Sequence, residues 1–256
     1  MAEKHLPSLP SINGLLSVKK QLCYTEIMCG RFTIFSRPED YLGSFDVGVL
    51  DACKIAENYN AYPSQQLPVV VAEDEQVKCE LFQWGLVPAW AKDTSIGFKL
   101  SNARSETAAE KPSFKHAFRQ RRCLVPVDGW YEWLREGKNK QPYYHCRQDR
   151  EIIWLAGLWE NWVSKDTGEN IRSFTILTQE ASGKAAKIHN RMPVFVNPDQ
   201  ALSWLDNNQR DIETISSFMV FEVDEMLEVF PVSKDMNSPK FNGKSCIVPV
   251  QPGFKQ

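Results

Sequence analysis

The chain has 256 residues, 43% of them hydrophobic and 24% charged, with a formal net charge of −2; this is ordinary globular usage, with length enough to bury a real core. The near-balanced charge excludes a wholesale basic nucleic-acid binder, so any DNA contact must come from a local patch. Seven scattered cysteines with no C-x-x-C argue against a disulfide framework or a cysteine zinc site and fit a reducing cytoplasm or nucleus, and no apolar run is long enough to span a membrane.

Residues 1–27 carry Lys4, His5, Lys19 and Lys20 around a short apolar patch at 12–18, which is not the order of a signal peptide, and read as an extension. Residues 29–35 alternate with β-branched and aromatic side chains and predict a strand. Pro38-Glu39-Asp40 opens a helix, and residues 58–63 are a loop by composition. Residues 67–72 and 79–86 predict buried strands, and residues 103–118 a helix broken at Pro112. The apolar strand 123–127 runs into Asp128-Gly129-Trp130-Tyr131-Glu132-Trp133. Residues 141–146, 152–158 and 173–177 alternate like a meander. A short helix or turn is expected at 181–187 and helical structure at 198–205 and 212–218. Residues 220–232 and 246–250 return to extended structure. No low-complexity linker or repeat divides the chain. The expectation is one α+β domain over 28–256, with a large twisted, barrel-like, mostly antiparallel sheet flanked by helices.

Several short motifs can carry chemistry. Cys29 follows Met28 directly. A free cysteine reads as a small buried hydrophobe. At a mature N-terminus it also carries an α-amine titrating near ~8, neutral in useful fraction at neutral pH, with a thiol beside it as a second nucleophile. Asn102-Ala103-Arg104-Ser105-Glu106 reads either as a capped helix start or as a substrate-orienting amide beside a phosphate-binding guanidinium. Glu132 is either solvated on an amphipathic strand or desolvated beside an aromatic, which would raise its pKa and suit it to general acid–base work. His189, one of four histidines, is a structural residue or a proton donor to a sugar oxygen. Arg119, Arg121 and Arg122 form a solvated face, or, with Trp84, Trp90 and Trp130, a groove for single strands.

Six motifs in order resemble the SRAP (SOS-response-associated peptidase) family from Met28 to about position 250. They are Cys29-Gly30-Arg31-Phe32, Asn58-Tyr59-Asn60, Trp84-Gly85-Leu86-Val87-Pro88-Ala89-Trp90, Asn102-Ala103-Arg104-Ser105-Glu106, Asp128-Gly129-Trp130-Tyr131-Glu132-Trp133 and Ile188-His189-Asn190-Arg191-Met192-Pro193. The resemblance implies a cytoplasmic, monomeric sensor of abasic sites in single-stranded DNA, nucleoid-associated when bound, that needs no metal or cofactor. It implies a crosslink through an N-terminal cysteine, freed by peptidase-like self-cleavage and closed as a thiazolidine. It assigns catalytic roles to Cys29, Asn102, Glu132 and His189, and DNA contacts to Arg31, Asn60, Trp84 and Arg104. While residues 1–27 stay attached, the nitrogen of Cys29 is an amide and not a nucleophile, which leaves three readings of the segment: Met28 is the true start, the segment is removed by self-cleavage at Met28–Cys29, or it is retained and the protein does not crosslink. Two other functions fit the same residues: a thiol peptidase acting in trans, and a non-catalytic single-stranded DNA binder.

Overall fold

The computed structural model describes residues 29–43, 45, 56–74, 76–219 and 222–251. The expectations for the extension, for Met28 and for residues 220–221 lie outside them.

Two sheets carry the fold. In the second, strands β3 (Gln66–Glu73), β4 (Gln76–Trp84), β6 (Arg122–Val127), β9 (Ile153–Val163) and β10 (Asn170–Glu180) pair in a ring that closes through β9–β10 and β10–β4. The β4–β10 pairing is parallel and the rest of the ring antiparallel. This is the barrel-like, mostly antiparallel sheet the sequence led us to expect. The first sheet orders β1 (Phe32–Ile34), β2 (Asn58–Ala61), β7 (Gly129–Glu136), β8 (Asn139–Arg147) and β12 (Leu227–Pro231) as β12-β8-β7-β1-β2. Short strands β5 (Asn102–Arg104) and β11 (Arg191–Pro193) both pair with β10.

The barrel strands read as near-continuous apolar runs because both of their faces are buried. Val70, Leu124, Ala156 and Leu177 pack outward with Phe118, Trp204 and Ile215, which belong to helices α3 (Lys115–Gln120), α5 (Ala201–Leu205) and α6 (Ile212–Ser217). Their neighbours Val69, Val71, Val125 and Ile176 turn inward and join Phe32, Ile34 and Trp130 of the first sheet. The far face of that sheet buries Tyr59, Tyr131 and Tyr144 against Val232, Met236 and Cys246. The chain is therefore layered: helices, barrel wall, shared core, first sheet, C-terminal wrap.

The glycine of the Trp84 motif is structural. Gly85 has φ of +119°, and a Cβ there would lie 2.6 Å from the Gly97 carbonyl oxygen. Only glycine serves both demands. Their close approach holds the 3-10 turn Thr94–Leu100 against the end of β4.

Local differences from the sequence reading have physical causes. Residues 58–61, asparagine-rich and expected as loop, form the edge strand β2. The Asn58 side chain accepts from the Asn60 N–H at 3.1 Å, satisfying the backbone where no further strand follows. Residues 103–118 split into β5, α2 (Ser105–Ala108) and α3, because the parallel pairing of β5 with β10 overrides helix propensity. Residues 246–250 are a 3-10 turn at Lys244–Ile247 followed by one bridge, Val232 to Pro249. Cys29, Cys123, Cys146 and Cys246 are free thiols, whereas Cys79 is disulfide-bonded, which the scattered spacing gave no reason to expect. No helix among the described residues is long and apolar enough to cross a membrane.

Candidate active site

The site is built where the first sheet meets the loop before β11. Strands β1 and β7 run antiparallel with Phe32 opposite Trp130, and the Tyr131 N–H donates to the Arg31 carbonyl at 3.0 Å. Continuing that register brings Gly30 beside Glu132. The backbone nitrogen of Cys29 then donates to Glu132 Oε1 at 2.8 Å across 103 positions of sequence. Both residues are buried, Cys29 at 3% exposure and Glu132 at 4%. The solvated reading of Glu132 is thereby excluded, since a strand that starts in the core keeps this position below the surface. Cys29 adopts φ of +48°, a left-handed conformation costing a non-glycine residue about 1–3 kcal/mol.

Burial dominates the electrostatics. It pushes the Glu132 carboxyl above the usual carboxylate range, and the pull of His189 and the Cys29 hydrogen bond only partly offset it. Burial, with the negative charge and hydrogen bond of Glu132, pushes the Cys29 thiol well up, while the Arg191 cation draws it down. Burial thus disfavours the charged form of both groups.

His189 follows α4 (Gly183–Ala186) and lines the same cleft as Glu132. The Arg191 N–H donates to His189 Nδ1 at 3.1 Å. The Arg191 carbonyl lies 3.3 Å from the same Nδ1, so the Arg191 backbone pairs with either tautomer of the ring. The cleft holds about 380 Å³ and is also lined by Gly30, Arg31, Tyr62, Phe98, Trp133, Arg135, Lys140 and Asn237. That volume is within the usual range for a small-ligand site.

The remaining predicted residues fall into two groups. Arg31 lines the cleft; its Nη1 donates to Asn60 Oδ1 at 2.5 Å, and its guanidinium lies 5.5 Å from the Tyr62 ring centroid. Arg104 is exposed at the end of β5, with no ion-pair partner among the described residues, and Asn102 begins the same strand, half-buried, opposite Ile176. Asn60 and Trp84, expected at the DNA face, are internal. The Asn60 amide donates to the carbonyls of Met236, Ser238 and Phe241 while its oxygen holds Arg31, so it ties the C-terminal wrap to the cleft wall. Trp84 is fully buried, packed between Phe32 and Phe174, with Nε1 donating to the Ser101 carbonyl at 2.8 Å. No ring face remains for a base.

The expected basic groove likewise resolves into structure. Arg122 is fully buried and caps carbonyls of Phe118, Arg119, Trp204, Asp206 and Gln209. Arg121 pairs with Glu160. Of the three tryptophans, Trp130 is also buried and Trp90 is 60% exposed. The cleft's own cations, Arg135 and Lys140, were missed, although they sit on the β7–β8 hairpin directly downstream of Glu132, and a strand read two residues further would have found Arg135. Among the described residues no three His, Cys, Asp or Glu side chains group as metal ligands.

The family profile described as SOS response associated peptidase (SRAP) matches residues 28–239. The chain belongs to the SRAP family. Among relatives, abasic site processing protein YoqW of Bacillus subtilis (strain 168) is 35% identical over 223 residues, covering 86% of this chain and 99% of YoqW. Abasic site processing protein HMCES of Gallus gallus is 31% identical over 228 residues, covering 77% of this chain and 67% of that one. A crystal structure of a Bacteroides thetaiotaomicron protein superposes with a TM-score of 0.76 at 26% identity, covering 87% of this chain and all of that one. The SRAP match begins at Met28, one residue before the buried cysteine.

Proposed function

We propose that this protein processes abasic sites in single-stranded DNA by forming a covalent crosslink through Cys29, acting as a monomer. The observation that carries the reading is the buried hydrogen bond between the Cys29 nitrogen and Glu132. A carboxyl with a raised pKa beside the nitrogen that becomes the α-amine once the upstream segment is gone suits amine–aldehyde condensation. The names of the SRAP relatives, abasic site processing proteins, support the substrate.

The α-amine of Cys29 adds to the ring-opened aldehyde of the abasic sugar. Glu132 as the acid protonates the carbinolamine hydroxyl, which leaves as water and yields an iminium. The Cys29 thiol gives its proton to the Glu132 carboxylate, and sulfur bonds to the iminium carbon while the C=N electron pair returns to nitrogen. The product is a thiazolidine and Glu132 is again the acid. A thiol held up by burial argues for the amine as first attacker. His189 Nε2–H donates to a sugar oxygen during ring opening, Asn102 orients the residues about Cys29, and Arg31 and Arg104 hold phosphates.

This chemistry requires Cys29 as the first residue, so the reading treats 1–27 as an extension to the domain 28–256 and includes self-cleavage at Met28–Cys29. There the thiol gives its proton to Glu132 and attacks the preceding carbonyl, Glu132 returns a proton to the leaving nitrogen it already touches, and water hydrolyses the resulting thioester, which releases the upstream segment as a carboxylic acid and restores the thiol. The left-handed strain at Cys29 favours release.

The test is incubation of the protein, with its N-terminus read by intact mass, with a single-stranded oligonucleotide carrying one abasic site. A heat-stable adduct is expected from protein beginning at Cys29, and none from Cys29→Ala. No adduct from the former, or an adduct surviving Cys29→Ala, overturns the reading.

A further inference from the structure

The chain carries a net charge of −2, so a site for a polyanion must gather its own cations. Arg121 and Arg122 do not supply them, the one paired with Glu160 and the other buried among carbonyls. The cations stand on the cleft instead. Its lining includes Arg31, Arg135 and Lys140, and the one carboxyl among the described residues that line it is Glu132, whose charged form burial disfavours. Arg135 and Lys140 face each other across the β7–β8 ladder, and both are exposed.

Two like charges directly opposite on a sheet repel and cost the hairpin stability. The neighbourhood adds to the excess rather than relieving it. Residues 135–140 and 234–237 hold four cations, Arg135, Lys138, Lys140 and Lys234, against two carboxylates, Glu136 and Asp235. Lys234, on the 3-10 turn Lys234–Asn237, leans on the hairpin through a hydrogen bond from its Nζ to Asn139 Oδ1 at 2.6 Å. Glu136 falls on the opposite face of β7 from Arg135, and Asp235 accepts from the Ser233 hydroxyl at 3.0 Å.

Tyr131, Trp133 and Arg135 alternate onto one face of β7, and Arg31 joins that face opposite Tyr131. Arg135 lies four residues beyond Tyr131, so the row from Arg31 to the Arg135–Lys140 pair is about 13 Å long. Trp133 stands between them, its Nε1 donating to Asn237 Oδ1 at 2.7 Å. We propose that the Arg135–Lys140 pair on the β7–β8 hairpin is a second anion-binding point of the cleft, which holds backbone phosphates of single-stranded DNA on one flank of a lesion seated at Cys29. A phosphate set between the two cations turns their repulsion into attraction, and Arg supplies the two-pronged contact while Lys supplies a point charge. A strand that passes Arg31 and continues over the same face reaches the pair a few nucleotides on. The assignment rests on the single-stranded DNA reading, but binding is measurable without any crosslinking chemistry.

The experiment measures fluorescence anisotropy of the protein, its N-terminus read by intact mass, with a single-stranded oligonucleotide carrying one tetrahydrofuran abasic analogue. That analogue has no aldehyde and cannot crosslink. Salt is varied from about 50 to about 200 mM. The double variant Arg135→Gln with Lys140→Gln should bind about tenfold more weakly at the low end and flatten the salt slope by about 1.4, which is two phosphate contacts at about 0.7 each. Lys78→Gln with Arg210→Gln removes the same charge from β4 and from the segment between α5 and α6, and should bind as wild type does. An equal loss in this control would mean that net charge alone acts, and overturns the proposal. Lys140→Glu separates binding from folding. It sets an opposite charge across from Arg135, so the thermal midpoint should hold or rise while DNA binding weakens. A midpoint that falls with binding makes the pair structural, and unchanged binding with an unchanged slope leaves the hairpin to another partner; either result overturns the proposal. With a true abasic strand, the hairpin variants should raise the DNA concentration at half-maximal adduct formation more than they slow the rate at saturation. Hairpin-dependent binding with no adduct from wild type fails the crosslinking reading alone, whereas a normal adduct with hairpin-independent binding fails the hairpin alone.

Discussion

Glu132 answers to two opposed demands. The proposed chemistry wants it buried beside the Cys29 nitrogen, where burial raises its pKa and favours its acid form. Stability does not, because burial penalises its charged form. The sign of the second effect follows from proton binding. A carboxyl with a raised folded pKa binds more protons in the native state than in the unfolded one. Its favourable contribution is therefore complete below the ordinary carboxylate value of about 4.3 and is lost as pH rises through the folded value. Glu132→Gln keeps the shape and an oxygen acceptor but cannot ionise. Adduct formation on abasic DNA should fall by about 10²- to 10⁴-fold, the usual worth of a general acid–base group. The thermal midpoint at pH 8 should rise above wild type. Single-turnover adduct kinetics and calorimetry check the two halves, and a variant both slow and less stable at pH 8 would mean that Glu132 is ionised and paired in the native state.

At the scale of elements, the motif glycine Gly85 makes a comparable claim on structure. Gly85→Ala puts a Cβ in a left-handed backbone and 2.6 Å from the Gly97 carbonyl oxygen. Because the obstacle is backbone, the turn Thr94–Leu100 must move, and with it Phe98 on the cleft wall. The expected cost is about 1–3 kcal/mol, a drop of several degrees in the thermal midpoint, with slower adduct formation; an unchanged midpoint would show that the contact yields freely. This position also marks what was legible in the sequence. Strands β3 and β6 could be read from their apolar runs, and α1 (Pro38–Leu42) from its proline at the first position. The short strands β2 and β5 could not, because only distant partners, β1 and β10, make them strands. The motif order pointed to Cys29, Glu132 and His189 together, yet it does not say which way a side chain faces. Asn60 and Trp84 belong to the same motifs and point into the protein, where their amide and indole groups are used by carbonyls. Arg191 was in view two residues after His189, but its pairing with Glu106 is a product of β5 and β11 flanking one strand.

Across the whole molecule, the first sheet is covered on both faces, and β8 carries a histidine into its interior. His145 is fully buried, opposite Trp130 and Val229 in the ladder, with its ring stacked 4.5 Å from the Trp130 ring. Trp130 in turn meets Phe195 at 5.4 Å, which joins this sheet to the barrel core. Burial pushes the His145 pKa down to about 3. The imidazole is therefore neutral in the folded protein, while in the unfolded chain it titrates near about 6.5. Between those values the unfolded state binds the extra proton, so stability is intact above the unfolded value and is lost as pH falls toward the folded one. The slope approaches about 1.4 kcal/mol per pH unit for one proton. His145→Phe keeps an aromatic ring against Trp130 and removes the titration. Its thermal midpoint should fall less steeply than that of wild type between pH 6 and pH 4, while the two curves run parallel above pH 7. Parallel curves throughout would mean that the two sheets separate in acid through another group. The direction of this effect opposes that of Glu132, whose stabilising share grows as pH falls. A buried acid and a buried base at the two ends of the Trp130–Glu132 stretch thus confine the stable range from both sides, and the one that limits the alkaline side is the one placed beside Cys29.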